Sequence, residues 1–498
     1  MKKISLVLLA VFGLTACKQT IQLPPSHYDN LANQASIESY PLKADLSTLR
    51  EEMLFERGVQ AYLWALPSLN VFGMKEGSEK AFGKGYNILP IFKERMNAKT
   101  LIATSNSDAI YGLGFLDLKV DGPLVVEVPP GSQGILDDFR QRPLRSEGQI
   151  DDKEWGGDVG LLGPDHGAGG KYLVLAPDYK GPIPSGYFPY RSGTYGVLVC
   201  LRAFFKNPKE LTDPVKLIEQ TRIYPLGKEA TARPMQFPDA SARPANMLFP
   251  QDGNAFDMLS RFIDREYVDP SDMEMRGVLA GIGIVKGGAF APEAPILDLL
   301  DKAARTASRM SHAIAYQPSA MVPNGLYYAN RRWINPSPGN ATFTADSYNV
   351  IDARTGYFTY AYSTSFGMSA NVENTGAKSA AAYVDSNGNF LRGSQNYVLH
   401  LPPDIPAANF WSVTVYDPIT GSGLDNGQPF PSLNTMDKPV ENSDGSTDIY
   451  FGPLASDTGK NWITTLPGKG WFVVLRFYGP KKSFFDQTWK PDDIKKVQ

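Results

Sequence analysis

Two long stretches of the chain alternate hydrophobic and polar positions at the period of a strand, and a helical period separates them. From Leu101 to Leu226 the pattern is mostly strand. Tyr111, Leu113 and Phe115 share one face, and Leu116 and Leu118 take the other. Leu124, Val126 and Val128 then alternate with Val125 and Glu127. Asp121-Gly122 predicts a turn that makes the two runs a hairpin, and Pro129-Pro130 ends the ladder. Lys171 to Leu175 and the apolar run Thr194 to Phe204 continue the strand pattern.

Helical spacing appears at Phe55, Val59, Tyr62, Leu63 and Leu66, behind a Thr48/Glu51 capping box and ahead of Pro67, which is expected to end or kink that helix. It returns at Phe256, Leu259, Ile263 and Tyr267. After a Ser271/Glu274 capping box it recurs at Val278, Leu279, Ile282 and Val285, and again from Ile296 through Leu300, Ala303, Ala307 and Met310 to Ile314. Strands resume after Ala341. Tyr357 to Phe366 reads as a strand, Tyr383 to Leu391 as a hairpin with an Asn387-Gly388 turn, and Tyr397 to Leu401, Phe410 to Tyr416, Asp448 to Phe451 and Trp471 to Tyr478 as further strands.

The chain of 498 residues exceeds one ordinary core. The pattern predicts a mainly β protein with a helical subdomain: residues 48–100 an N-terminal helical segment, 101–230 a β domain, 231–340 a helical subdomain and 341–498 a second β domain shaped as a sandwich or jelly roll.

The N-terminus changes the picture. Lys2 and Lys3 precede the short apolar run Ile4 to Phe12, and Leu14-Thr15-Ala16-Cys17 resembles a bacterial lipobox. That resemblance implies a signal peptide over 1–16, a lipid attached at Cys17, and a polar tether over 17–47. It implies a cell-envelope location in which Lys18 favours the outer membrane, facing the periplasm, over the inner one. With Cys17 acylated, only Cys200 remains, so the fold is expected to rest on packing without an intrachain disulfide. The net charge of −3 without basic blocks argues against nucleic acid as a partner. A homo-oligomer stays open.

Four histidines, His27, His166, His312 and His400, stand far apart, so neither a metal nor a cofactor is expected. No nucleophile elbow, Walker loop or dinucleotide fingerprint occurs. Asp385 to Asn389 offers oxygen ligands at a spacing that suits a tight turn better than a calcium loop. The acidic stretch Asp137 to Asp158 is either a solvated loop or a source of paired carboxylates for glycoside chemistry. Arg202 and Arg476 lie within apolar strands. Each needs either a structural carboxylate, with Asp108, Asp117 and Asp417 available, or a ligand carboxylate. Asn106, Asp108 and Tyr111 crowd polar groups at the head of the first strand, and a site using all three requires a bend there. Trp411 is the candidate stacking aromatic.

The motifs Tyr62-Leu-Trp64-Ala-Leu-Pro67, Asn106-Ser-Asp108 with Tyr111, Gly122-Pro123 and Gly169-Gly170-Lys171-Tyr172 resemble domain-of-unknown-function family 1254. Phe410 to Asp417, Asn461-Trp462 and Leu475-Arg476 with Tyr478 and Pro480 resemble family 1214. The resemblance implies an N-terminal immunoglobulin-like sandwich, middle helices and a C-terminal jelly roll, and it brings no catalytic residues with it. The expected function is binding of a small polar ligand or glycan between the two β domains, through Asn106, Asp108, Tyr111, Arg202, Trp411 and Arg476. The alternative is a metal-independent envelope hydrolase or lyase using carboxylates.

Overall fold

A computed structural model describes residues 26–147, 156–317, 322, 325–337, 339–454 and 461–497. The lipobox and Cys17 lie outside the described residues. The chain divides into two compact units, Met1–Met53 and Leu54–Gln498. In the first, helix α1 (His27–Ala32) carries a Ser26/Asp29 capping box, strands β1 (Ser36–Ile37) and β2 (Tyr40–Pro41) pair, and no described residue is buried. The long helix α2 (Lys43–Phe82) begins there.

The second unit opens with α2 from Leu54 onward. Pro67 neither ends this helix nor stops its burial, since Val59 to Met74 are held in a core that outweighs the lost backbone bond. The carbonyl of Pro67 accepts from Gln141 Nε2 (2.8 Å).

Next comes a sandwich of two antiparallel-rich sheets. Its strands are β3 (Ile110–Asp117), β4 (Leu124–Val128), β5 (Gln133–Asp138), β6 (Arg145–Ser146), β7 (Asp158–Gly160), β8 (Gly170–Leu175), β9 (Phe188–Arg191), β10 (Gly196–Ala203) and β11 (Arg222–Pro225). One sheet runs β3-β10-β5-β7 and the other β11-β4-β8-β9-β6. Leu116, Val126, Tyr172 and Val199 fill the space between them. The expected hairpin of β3 and β4 does not form. A helical turn, α3 (Leu118–Asp121), and Gly122 at φ +71° carry the chain from one sheet to the other, so β3 pairs with β10 and β4 with β8 and β11. Helix α4 (Thr212–Ile218) follows β10.

Helices α5 (Asn254–Arg265), α6 (Met273–Gly281) and α7 (Ala294–Tyr316) lie near where the period predicts them, but Tyr267, Ile282 and Val285 fall beyond the ends of the first two. With α2 they cover the outer face of the first sheet, burying Tyr111, Leu113, Phe115, Leu198 and Cys200. Asp269, rather than Ser271, supplies the cap ahead of α6, accepting from the Ser271 backbone.

Residues 357–360 form no strand. They end helix α8 (Ile351–Tyr360), whose Ala353, Tyr357 and Phe358 point into the helical core, a contact that overrides their β propensity. After α9 (Phe366–Ser369) the second sandwich begins at Ala377. Its strands are β12 (Ala377–Ala382), β13 (Asn396–Leu401), β14 (Ala407–Tyr416), β15 (Ser432–Asn434), β16 (Thr447–Gly452), β17 (Asn461–Thr464), β18 (Phe472–Pro480) and β19 (Lys495–Val497), with α10 (Lys482–Phe485) before the last. The sheets run β12-β18-β14-β15 and β17-β16-β13-β19. Trp411, Val413, Leu399, Ile449 and Leu475 fill the space between them. Asp385 to Asn389 is a tight turn, Asp385 Oδ1 accepting from the backbone of Asn387 (2.9 Å) and Asn389 (3.0 Å), with Gly388 at φ +85°. Among the described residues no helix is long and apolar enough to cross a membrane.

Candidate functional site

Strand alternation places the site. On β18, Val473, Leu475 and Phe477 face into the second sandwich, which turns Phe472, Val474, Arg476 and Tyr478 outward. On the first sandwich, Val199 and Leu201 face inward, which turns Cys200 and Arg202 outward beside Tyr111, the register partner of Arg202. These two outward faces, closed by α8 and the segment 361–369, enclose a cavity of about 490 Å³.

Asn106, Tyr111, Arg202 and Arg476 all line this cavity. Asn106 Nδ2 lies 3.1 Å from Tyr111 Oη and 2.8 Å from Tyr478 Oη, joining the two sandwiches. Asp108 does not line it. The bend at the head of β3 turns Asp108 fully inward, where it accepts from Asn434 Nδ2 (3.0 Å) and Tyr478 Oη (3.2 Å), while its N–H donates to Asn106 Oδ1 (2.9 Å). Trp411 is also placed elsewhere. Its position in the alternation of β14 puts the ring in the core of the second sandwich.

The charges are distributed unevenly. Among the described residues, neither Arg202 nor Arg476 has a carboxylate within 4 Å; Asp117 is taken by Arg265 and Asp417 by Lys469. Arg202 lies beside Tyr111, its register partner, and 5.2 Å from the Phe204 ring. Arg476 lies 3.4 Å from Thr414 Oγ1 and 5.5 Å from the Tyr416 ring. Lys378 lines the cavity too, donating to the carbonyls of Met368 (2.8 Å) and Ser369 (3.0 Å), and burial lowers its pKa to about 8.

Asp137, Asp138 and Asp158, the ends of the acidic stretch, are all buried rather than solvated; Asp151 to Glu154 lie outside the described residues. Asp137 accepts from Ser363 Oγ (2.7 Å) and Thr364 N (3.0 Å), and Asp158 from Ser365 Oγ (2.7 Å) and Gly367 N (2.8 Å). They pin the segment that closes the cavity. Burial raises Asp137 well above the ordinary carboxyl range and pushes Asp158 up to about 7, against those donated bonds. Burial also keeps Tyr111 and Tyr478 protonated and pushes the Cys200 thiol up to about 12. The cavity therefore offers cationic and neutral donors and no thiolate or phenolate, and its lining also carries the carboxyl groups of Asp158 and Asp352. Among the described residues no three His, Cys, Asp or Glu side chains gather as metal ligands do.

Two expected results follow. Cys200 is buried and its thiol stays protonated, so iodoacetamide at neutral pH should label it slowly until the protein unfolds; fast native labelling in a peptide map contradicts this. Asp158 has a folded-state pKa above the ordinary carboxyl value, so the native state binds the extra proton. Its contribution to stability is present below the lower value and lost as the pH rises through about 7. Asp158→Asn should therefore gain on the wild type in unfolding free energy between acidic and mildly alkaline pH, by about 4 kcal/mol. A pH-independent difference contradicts it.

The alternation pattern contained Tyr478 beside Arg476, although sequence reasoning singled out only Arg476. Lys378 sits in the Ala-rich β12, whose sequence carries almost no strand signal. Asp158 lay in an acidic stretch that gave no hint of burial.

Two stacked-sheet domains with a polar cavity between their outer faces define the architecture. Family models place it. The chain carries a DUF1254 segment (protein of unknown function) over residues 86–225, which covers most of the first sandwich, and a DUF1214 segment (protein of unknown function) over residues 376–482, which covers the second from β12 through β18. No curated protein matches the chain. Among solved structures, the VPA0106 protein from Vibrio parahaemolyticus is similar, with a TM-score of 0.52 and 18% identity over 90% of this chain and 100% of that one. An uncharacterised protein from Burkholderia cenocepacia aligns at a TM-score of 0.37 and 14% identity, over 92% of this chain and 98% of that one. The first of these likenesses shows a shared fold.

Proposed function

We propose that this protein binds a small polar ligand, a sugar or a molecule of similar size, in the cavity between its two sandwiches. The observation that carries the reading is convergence: Asn106, Tyr111 and Arg202 from one sandwich and Arg476, Tyr478 and Lys378 from the other meet in one space of about 490 Å³. That volume suits a single small molecule, and a few placed polar groups among apolar and aromatic walls is how such sites are built. The chemistry favours binding over hydrolysis or elimination by carboxylates, because Asp137 does not line the cavity and both oxygens of Asp158 are engaged by Ser365 and Gly367. The test is a glycan array and a metabolite thermal-shift screen on the wild type and on Ser379→Phe. Ser379 is partly exposed, lines the cavity and is the register partner of Arg476. Hits that raise the melting temperature of the wild type and not of the variant support the reading; hits unaffected by the variant, or product formation from a hit, overturn it.

The lipobox at Leu14 to Cys17 supports placing this protein in the cell envelope, tethered by lipid at Cys17. Cys17→Ser should move the protein from the detergent phase to the aqueous phase of a detergent partition. Wild-type protein found in the aqueous phase contradicts the anchor.

A further inference from the structure

Burying a guanidinium without an acid is costly; on this cavity Arg476 is buried and Arg202 half-buried, and among the described residues neither has a carboxylate within 4 Å. Arg202 and Arg476 come from opposite sandwiches, yet both lie near enough to Tyr111 and Tyr478 for the fields of those residues to act on them. Their charges therefore fall in the same region of the cavity. Two acids bear on them. Asp108 acts on Arg476, but its oxygens are engaged by Asn434 and Tyr478 and it sits outside the cavity. Asp158 acts on Arg202, but it is held by Ser365 and Gly367. Among the described residues neither comes within 4 Å of a guanidinium, so beyond the Thr414 contact of Arg476 the pair faces the cavity without a carboxylate bound to it.

We infer that the ligand of this cavity is an organic carboxylate, its acid group held between Arg202 and Arg476 and its body lying against the tyrosines of α8 and the second sandwich. The inference rests on the binding reading above and narrows it. Planar guanidinium forks match a carboxylate in geometry as well as in charge. Tyr111 and Tyr478, both neutral, add hydroxyls beside the same oxygens. Tyr357, Tyr360 and Tyr383 give the wall a broad aromatic surface on which a sugar ring or an aromatic ring can lie. Lys378, farther along β12, offers its remaining N–H to a hydroxyl or a second acid group.

The test uses matched pairs that differ in the acid alone: D-galacturonate against D-galactose, and benzoate against benzyl alcohol. Each is titrated calorimetrically into the full chain and into Arg202→Gln and Arg476→Gln. Crystals of the wild type soaked in sodium bromide report on the arginine pair without any substitution. The expected result is that the acid of at least one pair binds about tenfold or more tightly than its neutral partner, that either arginine substitution removes this preference, and that bromide occupies the space between the two guanidiniums. If neutral and acidic members bind alike, in the wild type and in both variants, the carboxylate inference is overturned while the cavity remains a binding site. If no member of either pair binds and bromide is absent from the arginines, the inference and the binding reading fall together.

Discussion

Asp108→Ala is expected to destabilise the protein by about 3–5 kcal/mol, the largest single effect among the residues around the cavity. Asp108 is fully buried at the seam of the two sandwiches. Removing its carboxylate strands Asn434 Nδ2 and takes away an acceptor of Tyr478 Oη, both of them belonging to the other sandwich. It also removes an acid whose field acts on Arg476. The remaining groups cannot recover water without opening the seam, so the cost is that of unsatisfied buried donors plus an uncompensated charge. Asp108→Asn keeps one acceptor and the shape, and should cost about 1–3 kcal/mol. Chemical denaturation followed by tryptophan fluorescence measures both. A midpoint for Asp108→Ala equal to that of the wild type would falsify the seam role.

The second large effect is expected at Asp137, and its sign depends on the replacement. Asp137→Ala leaves the Ser363 hydroxyl and the Thr364 N–H without an acceptor in a fully buried place, and Ser363 already holds a left-handed φ of +62°. The loss should reach about 2–4 kcal/mol and should loosen the segment that closes the cavity, so ligand affinity falls with stability. Asp137→Asn should cost far less. Both bonds fall on one oxygen, Oδ2, and burial raises the carboxyl's pKa well above the ordinary range, so an uncharged amide that keeps one acceptor suits the place. Hydrogen exchange at residues 361–367 should quicken in the Ala variant and remain near wild type in the Asn variant. Equal losses in the two variants would mean that a charged carboxylate is required.

The sequence disclosed the strands and the middle helices through their periods, because most are half-buried elements whose apolar positions repeat. It failed where long-range contacts outweigh local preference. Pro67 stays inside α2 because the surrounding core holds the helix on both sides of it. Tyr357 and Phe358 join a helix because they pack among helices. The β3–β4 turn has hairpin chemistry, yet its strands belong to different sheets, and nothing local specifies which partner a strand takes. At the site, polar residues in apolar strands carried the information. Arg202 and Arg476 stood out by that rule, and the structure puts both at one cavity. Asp108 and Trp411 are polar or aromatic in similar surroundings, and only the turn at residues 104–108 and the phase of β14 send them into buried interiors.

The cavity draws one guanidinium from each family segment, Arg202 from residues 86–225 and Arg476 from 376–482. Modular proteins commonly trade domains by recombination, each carrying its own activity. Here neither segment holds a complete site, and a recombinant that exchanged one of them would have to restore the facing surface at the same time.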